Sequence, residues 1–408
     1  MTDEIGLDGR RALDALMHLA ERAGPAELTE LVRRAAASMG IRDATIFLTD
    51  LQQDVLIAVS DAKTHEQRRY AIDDSLPGWA YRSTSIRVSE CEGQGLLVWL
   101  PLHDGVERIG VLRLECGALD APTLRFGRSL AALLTLIVLT KNARSDSFER
   151  LQRIQPMSLA AEMVWAFLPP RTLKAPYTTS CAVLEPAYDV GGDAFDHTLI
   201  DGVLHATILD AMGHDLLAGL ISSVAMAGCR NSRRADADLS ELTKLVDRTI
   251  ADTFPDRYCT AVFARIELRS GELTWTNCGH PAPLLIRDQR LMPDALERPT
   301  MPPLGLGELS GGDGPPVHSH RLEPGDRILL YTDGVTDARS ASGQRFGLDN
   351  FADFLIRATA AGEPAYEALR RLIHAILAHH DQRLTDDASI VLLEWQPSHE
   401  HPAATPVL

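Results

Sequence analysis

Two aspartates on either side of a predicted hairpin are the residues with the clearest potential for chemistry. Asp193 and Asp210 bound two apolar stretches joined by Asp201-Gly202, a dipeptide typical of a two-residue type I′ turn. Such a turn pairs Ile200 with Val203, and counting outward along both strands pairs Asp193 with Asp210. The predicted register therefore places two carboxylates opposite each other, with Cβ atoms about 5 Å apart.

A pair of facing carboxylates needs compensation, because like charges directly opposite each other destabilise a sheet. Protonation of one carboxyl group is one solution. A hard divalent cation such as Mg²⁺ or Mn²⁺ is the other. Gly191-Gly192, directly before Asp193, permits unusual backbone angles and close approach. The residues leave both solutions open at this point.

Two further aspartates also lie at predicted strand ends. Asp333 directly follows the strand Ile328–Thr332, and Asp386 precedes the strand Ser389–Trp395. Taken singly, an Asp beside a turn more often belongs to the turn than to a ligand set. If the strands are neighbours, however, four carboxylates converge at one edge of a sheet sandwich. Two metal ions about 3.5–4 Å apart would there activate water and bind a phosphoryl group.

Length and composition exclude several classes of protein. The 408 residues suffice for two or three domains, and the net charge of −16 disfavours binding to a nucleic-acid backbone. The 6 cysteines form no Cys-x-x-Cys pair, which disfavours a disulfide scaffold and a zinc ribbon. The N-terminus lacks signal-peptide features, and the apolar run Leu130–Thr140 is shorter than the roughly 20 residues that span a bilayer. We therefore expect a cytoplasmic protein with no membrane span and no nucleic-acid partner.

The first part of the chain follows the order α-α-β-β-α-β-β-α. The predicted elements are two helices within 10–39, strands Ala44–Thr49 and Val55–Ser60, a helix starting at 75–81, strands Leu96–His103 and Val106–Leu114 joined by Asp104-Gly105, and a long helix Leu124–Leu151. With LPGWA at 76–80 and WLPL at 99–102, this order resembles a GAF domain over about residues 10–145. The resemblance implies a small α/β sensor that receives an unidentified small-molecule or protein signal.

The second part is rich in strands that follow one another as hairpins. Predicted strands are Ser180–Leu184, Asp196–Ile200, Val203–Leu209, Ala261–Leu268, Leu273–Cys278, Leu284–Arg287, Arg327–Thr332 and Ser389–Trp395. Helical patterns at about 215–230, 239–253, 348–360 and 363–380 lie between them. We predict an α+β protein with a sensor domain at 1–145, a helical linker at 146–170, an antiparallel β-sandwich flanked by helices at 171–396 and a flexible tail at 397–408.

Five short motifs in this second part occur in a characteristic order. They are VGGDAFD at 190–196, DAMGH at 210–214, NCGHP at 277–281, LYTDGVTD at 330–337 and TDDAS at 385–389. Together with FLPP at 167–170, they resemble the SpoIIE-like, RsbU-type branch of the PPM family, the metal-dependent Ser/Thr phosphatases related to protein phosphatase type 2C. The resemblance covers about residues 160–395.

This resemblance implies roles for particular residues. Asp193, Asp210, the carbonyl group of Ala211, Asp333 and Asp386 would hold two Mn²⁺ or Mg²⁺ ions. Water activated by the ions would attack the phosphorus atom without a phosphoenzyme. The implied substrate is a phosphorylated anti-sigma-factor antagonist in bacterial partner switching. The resemblance also implies that helices at about 215–253 move to complete the site, and the helix at 124–160 is expected to transmit the signal through a homodimer.

Departures from the family pattern keep alternatives open. Family members often have Gly after the Gly-His pair, where this chain has Asp215. Type 2C enzymes place a His, taken as a general acid, at the position of Met212. His214 therefore receives no acid role. The motifs do not indicate a phosphate-binding Arg. A non-catalytic sensor or scaffold with a phosphatase-like fold is the main alternative, and a GAF-linked nucleotide cyclase or phosphodiesterase is a third.

Several other conspicuous residues favour structural roles. His280 follows a predicted strand and is expected to satisfy a turn or the core. His374, His379 and His380, with Asp381, are expected at a solvated helix end. Trp79 and Trp99 of the first domain are expected in the core rather than against a ligand.

Overall fold

The computed structural model describes residues 7–59, 68–91, 95–142, 145–307, 315–337, 346–379, 384 and 386–397. His380, Asp381, Thr385 and most of the predicted tail lie outside these residues. The chain divides into two compact units, Met1–Pro156 and Met157–Leu408, which are described separately. Their boundary falls within the range 146–170, the predicted linker.

The N-terminal unit is one antiparallel sheet with helices. Its helices are α1 (Leu7–Ala20), α2 (Pro25–Ala37), α3 (Leu76–Ser83), α4 (Ala121–Asn142) and α5 (Asp146–Gln152). Its strands are β1 (Asp43–Thr49), β2 (Val55–Ala58), β3 (Arg69–Ala71), β4 (Arg87–Cys91), β5 (Gly95–Asp104) and β6 (Glu107–Cys116), in the order β3-β2-β1-β6-β5-β4. α4 is the one described helix long and apolar enough to cross a membrane by length and composition. Phe126, Leu130 and Leu134 of this helix are buried in the core of the unit.

Three sequence predictions for this unit are wrong in detail. The turn between β5 and β6 consists of Gly105 and Val106, one residue later than predicted, because Asp104 still pairs with Glu107 and Gly105 supplies the positive φ of 57°. The long helix Leu124–Leu151 is two helices, since Ser145 caps the N-terminus of α5. Trp99 is buried as expected, but Trp79 is 50% exposed, because α3 turns its neighbours Ala80 and Tyr81 toward the core instead.

The C-terminal unit contains two antiparallel sheets. Its helices are α6 (Leu159–Phe167), α7 (Leu216–Arg234), α8 (Leu239–Thr253), α9 (Asp333–Asp337), α10 (Gly347–Ala360) and α11 (Ala365–His379). The first sheet has the order β15 (His318–Arg321), β12 (Glu272–Cys278), β11 (Cys259–Glu267), β10 (Val203–Ala211), β9 (Asp193–Ile200). The second has the order β14 (Arg290–Met292), β13 (Leu284–Arg287), β16 (Arg327–Tyr331), β17 (Ala388–Trp395), β8 (Thr178–Glu185), β7 (Thr172–Ala175). The predicted mixture of helices and antiparallel sheets is confirmed.

The alternation of side chains along β17 shows how the layers stack. Val391 and Leu393 belong to the core that includes β9, β10 and β11 of the other sheet. Ile390 and Leu392 point to the opposite face, where they share a core with residues of α10 and α11. The second sheet is therefore buried on both faces, and its strand ends meet those of the first sheet along one edge.

Candidate metal centre

The hairpin of β9 and β10 has the register predicted from its turn. Ile200 pairs with Val203, and Asp193 pairs with Asp210. The turn residues Asp201 and Gly202 have φ angles of 49° and 83°, as a type I′ turn requires. The prediction that the two aspartates face each other across the ladder is confirmed.

The two facing carboxylates lie in a strongly acidic environment. Asp193 is only 1% exposed, and its Oδ2 accepts a hydrogen bond of 2.8 Å from Oγ1 of Thr332. Burial, followed by the charges of Asp210 and Asp387, raises the pKa of Asp193 well above its usual value. Burial raises the pKa of Asp210 to about 7, and the charges of Asp333, Asp386 and Asp387 contribute to the rise. The charges that act on Asp210 are thus all carboxylates.

The second sheet supplies Asp333 and Asp386. β16 and β17 are neighbours, with Tyr331 paired to Ile390, so the end of one strand lies beside the start of the other. Asp333 begins α9 directly after β16, and Asp386 stands just before β17. Both residues are exposed, whereas Asp193 is buried. The structure therefore brings the four predicted aspartates to one edge, where the group extends from the interior to the solvent.

Asp387 is a residue of this edge to which sequence reasoning gave no role. It is 6% exposed, and its Oδ2 accepts hydrogen bonds from the backbone N–H groups of Gly191, Gly192 and Asp193 at 2.8, 2.8 and 3.1 Å. Burial raises the pKa of Asp387, and the three backbone hydrogen bonds oppose that rise. The doublet with Asp386 was a usable signal, because adjacent residues in extended chain point to opposite sides.

His280 connects the two sheets, as its structural interpretation predicts. Its Nε2 lies 3.0 Å from the carbonyl oxygen of Tyr331, which only accepts, so Nε2 carries the proton. Nδ1 consequently accepts from Oγ1 of Thr260 at 2.7 Å, and Thr260 is the cross-strand neighbour of Asp210. Burial lowers the pKa of His280 to about 4, so the ring is neutral.

The loop after Asp210 contains Ala211, whose carbonyl group is a predicted ligand, and Asp215, which departs from the family pattern. A Cβ atom on Gly192 would lie 2.4 Å from the carbonyl oxygen of Ala211, so this predicted ligand atom is directly beside the Gly-Gly segment. Asp215 caps α7 by accepting from the N–H of Ala218 at 2.9 Å, and Arg257 approaches its carboxylate to 3.7 Å. The extra negative charge of Asp215 is therefore part of a helix cap.

The donor set fits hard divalent cations. Oxygen ligands from carboxylates and carbonyl groups suit Mg²⁺ and Mn²⁺. Within the described part of the chain, no three His, Cys, Asp or Glu side chains are grouped so that all three could hold one metal ion. Mg²⁺ sites commonly use one or two carboxylates and keep several waters, so pairs of aspartates suffice. The neighbouring carboxylates contribute to raising the pKa of Asp210 to about 7. A bound cation would relieve this repulsion.

Known proteins resemble the part of the chain that contains these aspartates. Residues 200–396 match the family described as Stage II sporulation protein E (SpoIIE). Phosphoserine phosphatase RsbP of Bacillus subtilis is 27% identical over 212 residues, covering 50% of this chain and 49% of the relative. Protein IcfG of Synechocystis is 26% identical over 240 residues, covering 52% of this chain and 37% of the relative. The chain thus spans about half or less of each of these relatives.

A solved structure shows the same fold. The SiaA-PP2C domain of Pseudomonas aeruginosa superposes with a TM-score of 0.50 and 20% identity, covering 58% of this chain and 94% of that domain. The resemblance to the SpoIIE-like branch, first indicated by five short motifs, is confirmed. The C-terminal part of the chain is thus similar to the SpoIIE family over residues 200–396 and has the PP2C fold.

Proposed function

We propose that this protein is a metal-dependent phosphatase that removes phosphate from phosphoserine or phosphothreonine of a protein. The observation that carries the proposal is the buried Asp193, which faces Asp210 at an edge that Asp333 and Asp386 also reach. The family of the domain and the phosphoserine phosphatase among its relatives support the same activity.

The proposed ligands are Asp193, Asp210, the carbonyl group of Ala211, Asp333 and Asp386, which would hold two Mn²⁺ or Mg²⁺ ions. When bound, such ions polarise a phosphoryl group and make water acidic enough to react near neutral pH. The chain itself contributes orientation, because the Thr332 hydroxyl holds the Asp193 carboxylate. The exposure of Asp333 and Asp386 leaves the solvent side open to a phosphate carried by another protein.

The proposed substrate is a phosphorylated anti-sigma-factor antagonist in partner-switching signalling. The order of the RsbU-type motifs and the similarity to RsbP support this choice. The N-terminal unit is proposed to be a GAF-like sensor that regulates the phosphatase, in a cytoplasmic homodimer. Its single six-stranded sheet with flanking helices is compatible with that role.

Hydrolysis of p-nitrophenyl phosphate tests the activity. Turnover should require Mn²⁺, stop in EDTA and fall by about 100-fold or more in Asp210→Asn, since loss of even an outer-sphere partner typically costs 10–100-fold. Asp201→Asn is the matched control, because it lies at the turn of the same hairpin and Asn tolerates its positive φ. Absence of turnover together with absence of Mn²⁺ binding would favour the non-catalytic scaffold.

A further inference from the structure

We propose that Asp387 is the positioning residue of the metal centre, in that its carboxylate holds the Gly191–Asp193 backbone so that Asp193 faces Asp210. This inference rests on the proposed function and adds a residue without a ligand role to the site. Three backbone N–H groups converge on one oxygen, Oδ2 of Asp387, at 2.8, 2.8 and 3.1 Å. A single carboxylate oxygen that accepts three N–H groups fixes the course of a backbone segment closely.

The segment Gly191–Asp193, which Asp387 holds, is closely packed against neighbouring backbone. A Cβ atom at Gly191 would lie 2.4 Å from Cα of His214, and one at Gly192 would lie 2.4 Å from the carbonyl oxygen of Ala211. The two glycines are therefore packed against the loop that follows Asp210, and their N–H groups bind the carboxylate of Asp387. This packing explains why two glycines without side chains precede Asp193.

Asp387 also contacts the segments that carry the other proposed ligands. A Cβ atom at Gly334 would lie 1.9 Å from the carbonyl oxygen of Asp387. Gly334, the residue after Asp333, therefore packs directly against the backbone of Asp387. Oγ1 of Thr332 lies 3.4 Å from the same carbonyl oxygen, and Asp386 is the preceding residue. One buried residue thus links the segments of Asp193, Asp333 and Asp386 across both sheets.

The side chain is suited to this task for reasons of size and polarity. Asn retains one carbonyl oxygen at the same reach, so Asp387→Asn keeps an acceptor for the three N–H groups, while an uncharged NH2 group replaces the second carboxylate oxygen. Asp387→Ala removes the acceptor and leaves three buried N–H groups without it. Because outer-sphere partners of metal ligands typically contribute 10–100-fold to metal affinity, we expect Mn²⁺ affinity to fall about 100-fold in the Ala variant and about 10-fold or less in the Asn variant.

Calorimetric titration of the full chain with Mn²⁺ tests the proposal, with p-nitrophenyl phosphate turnover measured in parallel. The expected result is weaker Mn²⁺ binding in the order wild type, Asn, Ala, with turnover of the Asn variant restored by excess Mn²⁺. Glu394→Ala is the matched control, because Glu394 is a carboxylate near the opposite end of β17 that pairs with Arg327 at 2.6 Å. It should lower the thermal stability and leave Mn²⁺ affinity unchanged.

Three results with the variants would overturn the proposal. These are Mn²⁺ affinity of Asp387→Ala within twofold of wild type, an equal loss in Glu394→Ala, and, where the Ala variant does not fold, a folded Asn variant whose binding is weakened by 100-fold or more. Wild-type protein that binds Mn²⁺ without turnover would refute the proposed function but leave the positioning role measurable by binding. Wild-type protein that binds no Mn²⁺ would refute both.

Discussion

Replacement of Asp210 by Asn should stabilise the metal-free protein near neutral pH, although it removes a proposed ligand. Burial and three neighbouring carboxylates raise the pKa of Asp210 from 3.8 to about 7 in the folded protein. The unfolded chain regains the ordinary value, so ionisation of the folded protein is costly. At roughly 1.36 kcal/mol for each tenfold change in proton affinity, this rise in pKa lowers the free energy of unfolding by about 4 kcal/mol above pH 7.

The sign of the pH dependence follows from the direction of the shift. A raised carboxyl pKa means that the folded protein binds the proton more tightly than the unfolded chain, so wild-type stability falls as pH rises from 3.8 toward about 7. Asn at position 210 carries no charge and lacks this loss. The variant should exceed wild type by under about 1 kcal/mol at pH 4 and by about 2–4 kcal/mol at pH 7.5.

Urea unfolding in EDTA, followed by intrinsic fluorescence across this pH range, measures the difference. The exposed Asp201→Asn control should follow the wild-type curve. Addition of Mn²⁺ at about 100 times its Kd should stabilise wild type by about 2.7 kcal/mol and the variant far less. A stability difference that does not change with pH, or a variant less stable than wild type at pH 7.5 in EDTA, would refute the electrostatic reasoning.

Three further predictions concern residues around the carboxylates. Thr332→Val removes the hydroxyl that donates to Asp193 and should weaken Mn²⁺ binding about 10-fold by calorimetry, whereas unchanged affinity would remove Thr332 from the account. Gly192→Ala would bring a Cβ atom to 2.4 Å from the carbonyl oxygen of Ala211 and should lower the free energy of unfolding by about 1–3 kcal/mol, measured by urea unfolding; a neutral effect would contradict the packing. His280→Phe removes the hydrogen bonds to Thr260 and to the carbonyl group of Tyr331 and should cost about 2–4 kcal/mol in the same assay, so a change under 0.5 kcal/mol would show that the link between the sheets is dispensable.

The local part of the site could be predicted from the sequence because it depends on one turn. Asp201-Gly202 determines the register of β9 with β10, and that register alone places Asp193 opposite Asp210. Asp333 and Asp386 were assigned through motif resemblance, since the pairing of β16 with β17 is not visible in a local pattern. Mixed helices and antiparallel sheets followed from strand-rich stretches separated by helical ones.

What the sequence could not reveal depends on contacts distant in the chain. The carboxylate of Asp387 binds backbone groups that lie 194 to 196 residues earlier, and backbone N–H groups carry no sequence signature. The break before α5 was hidden because no Gly or Pro stands between Asn142 and Asp146, and only the capping Ser145 marks it. The exposure of Trp79 was missed because hydrophobicity alone does not tell which side of a short helix faces the core.

The most direct measurement of the central claim is the number of Mn²⁺ ions that the protein binds at its aspartate edge. Calorimetric titration of the wild-type chain should give two ions, and Asp193→Asn should lose at least one of them while Asp201→Asn keeps both. Binding of no Mn²⁺ by wild type, or unchanged binding in Asp193→Asn, would contradict the assignment of this edge as a two-metal centre.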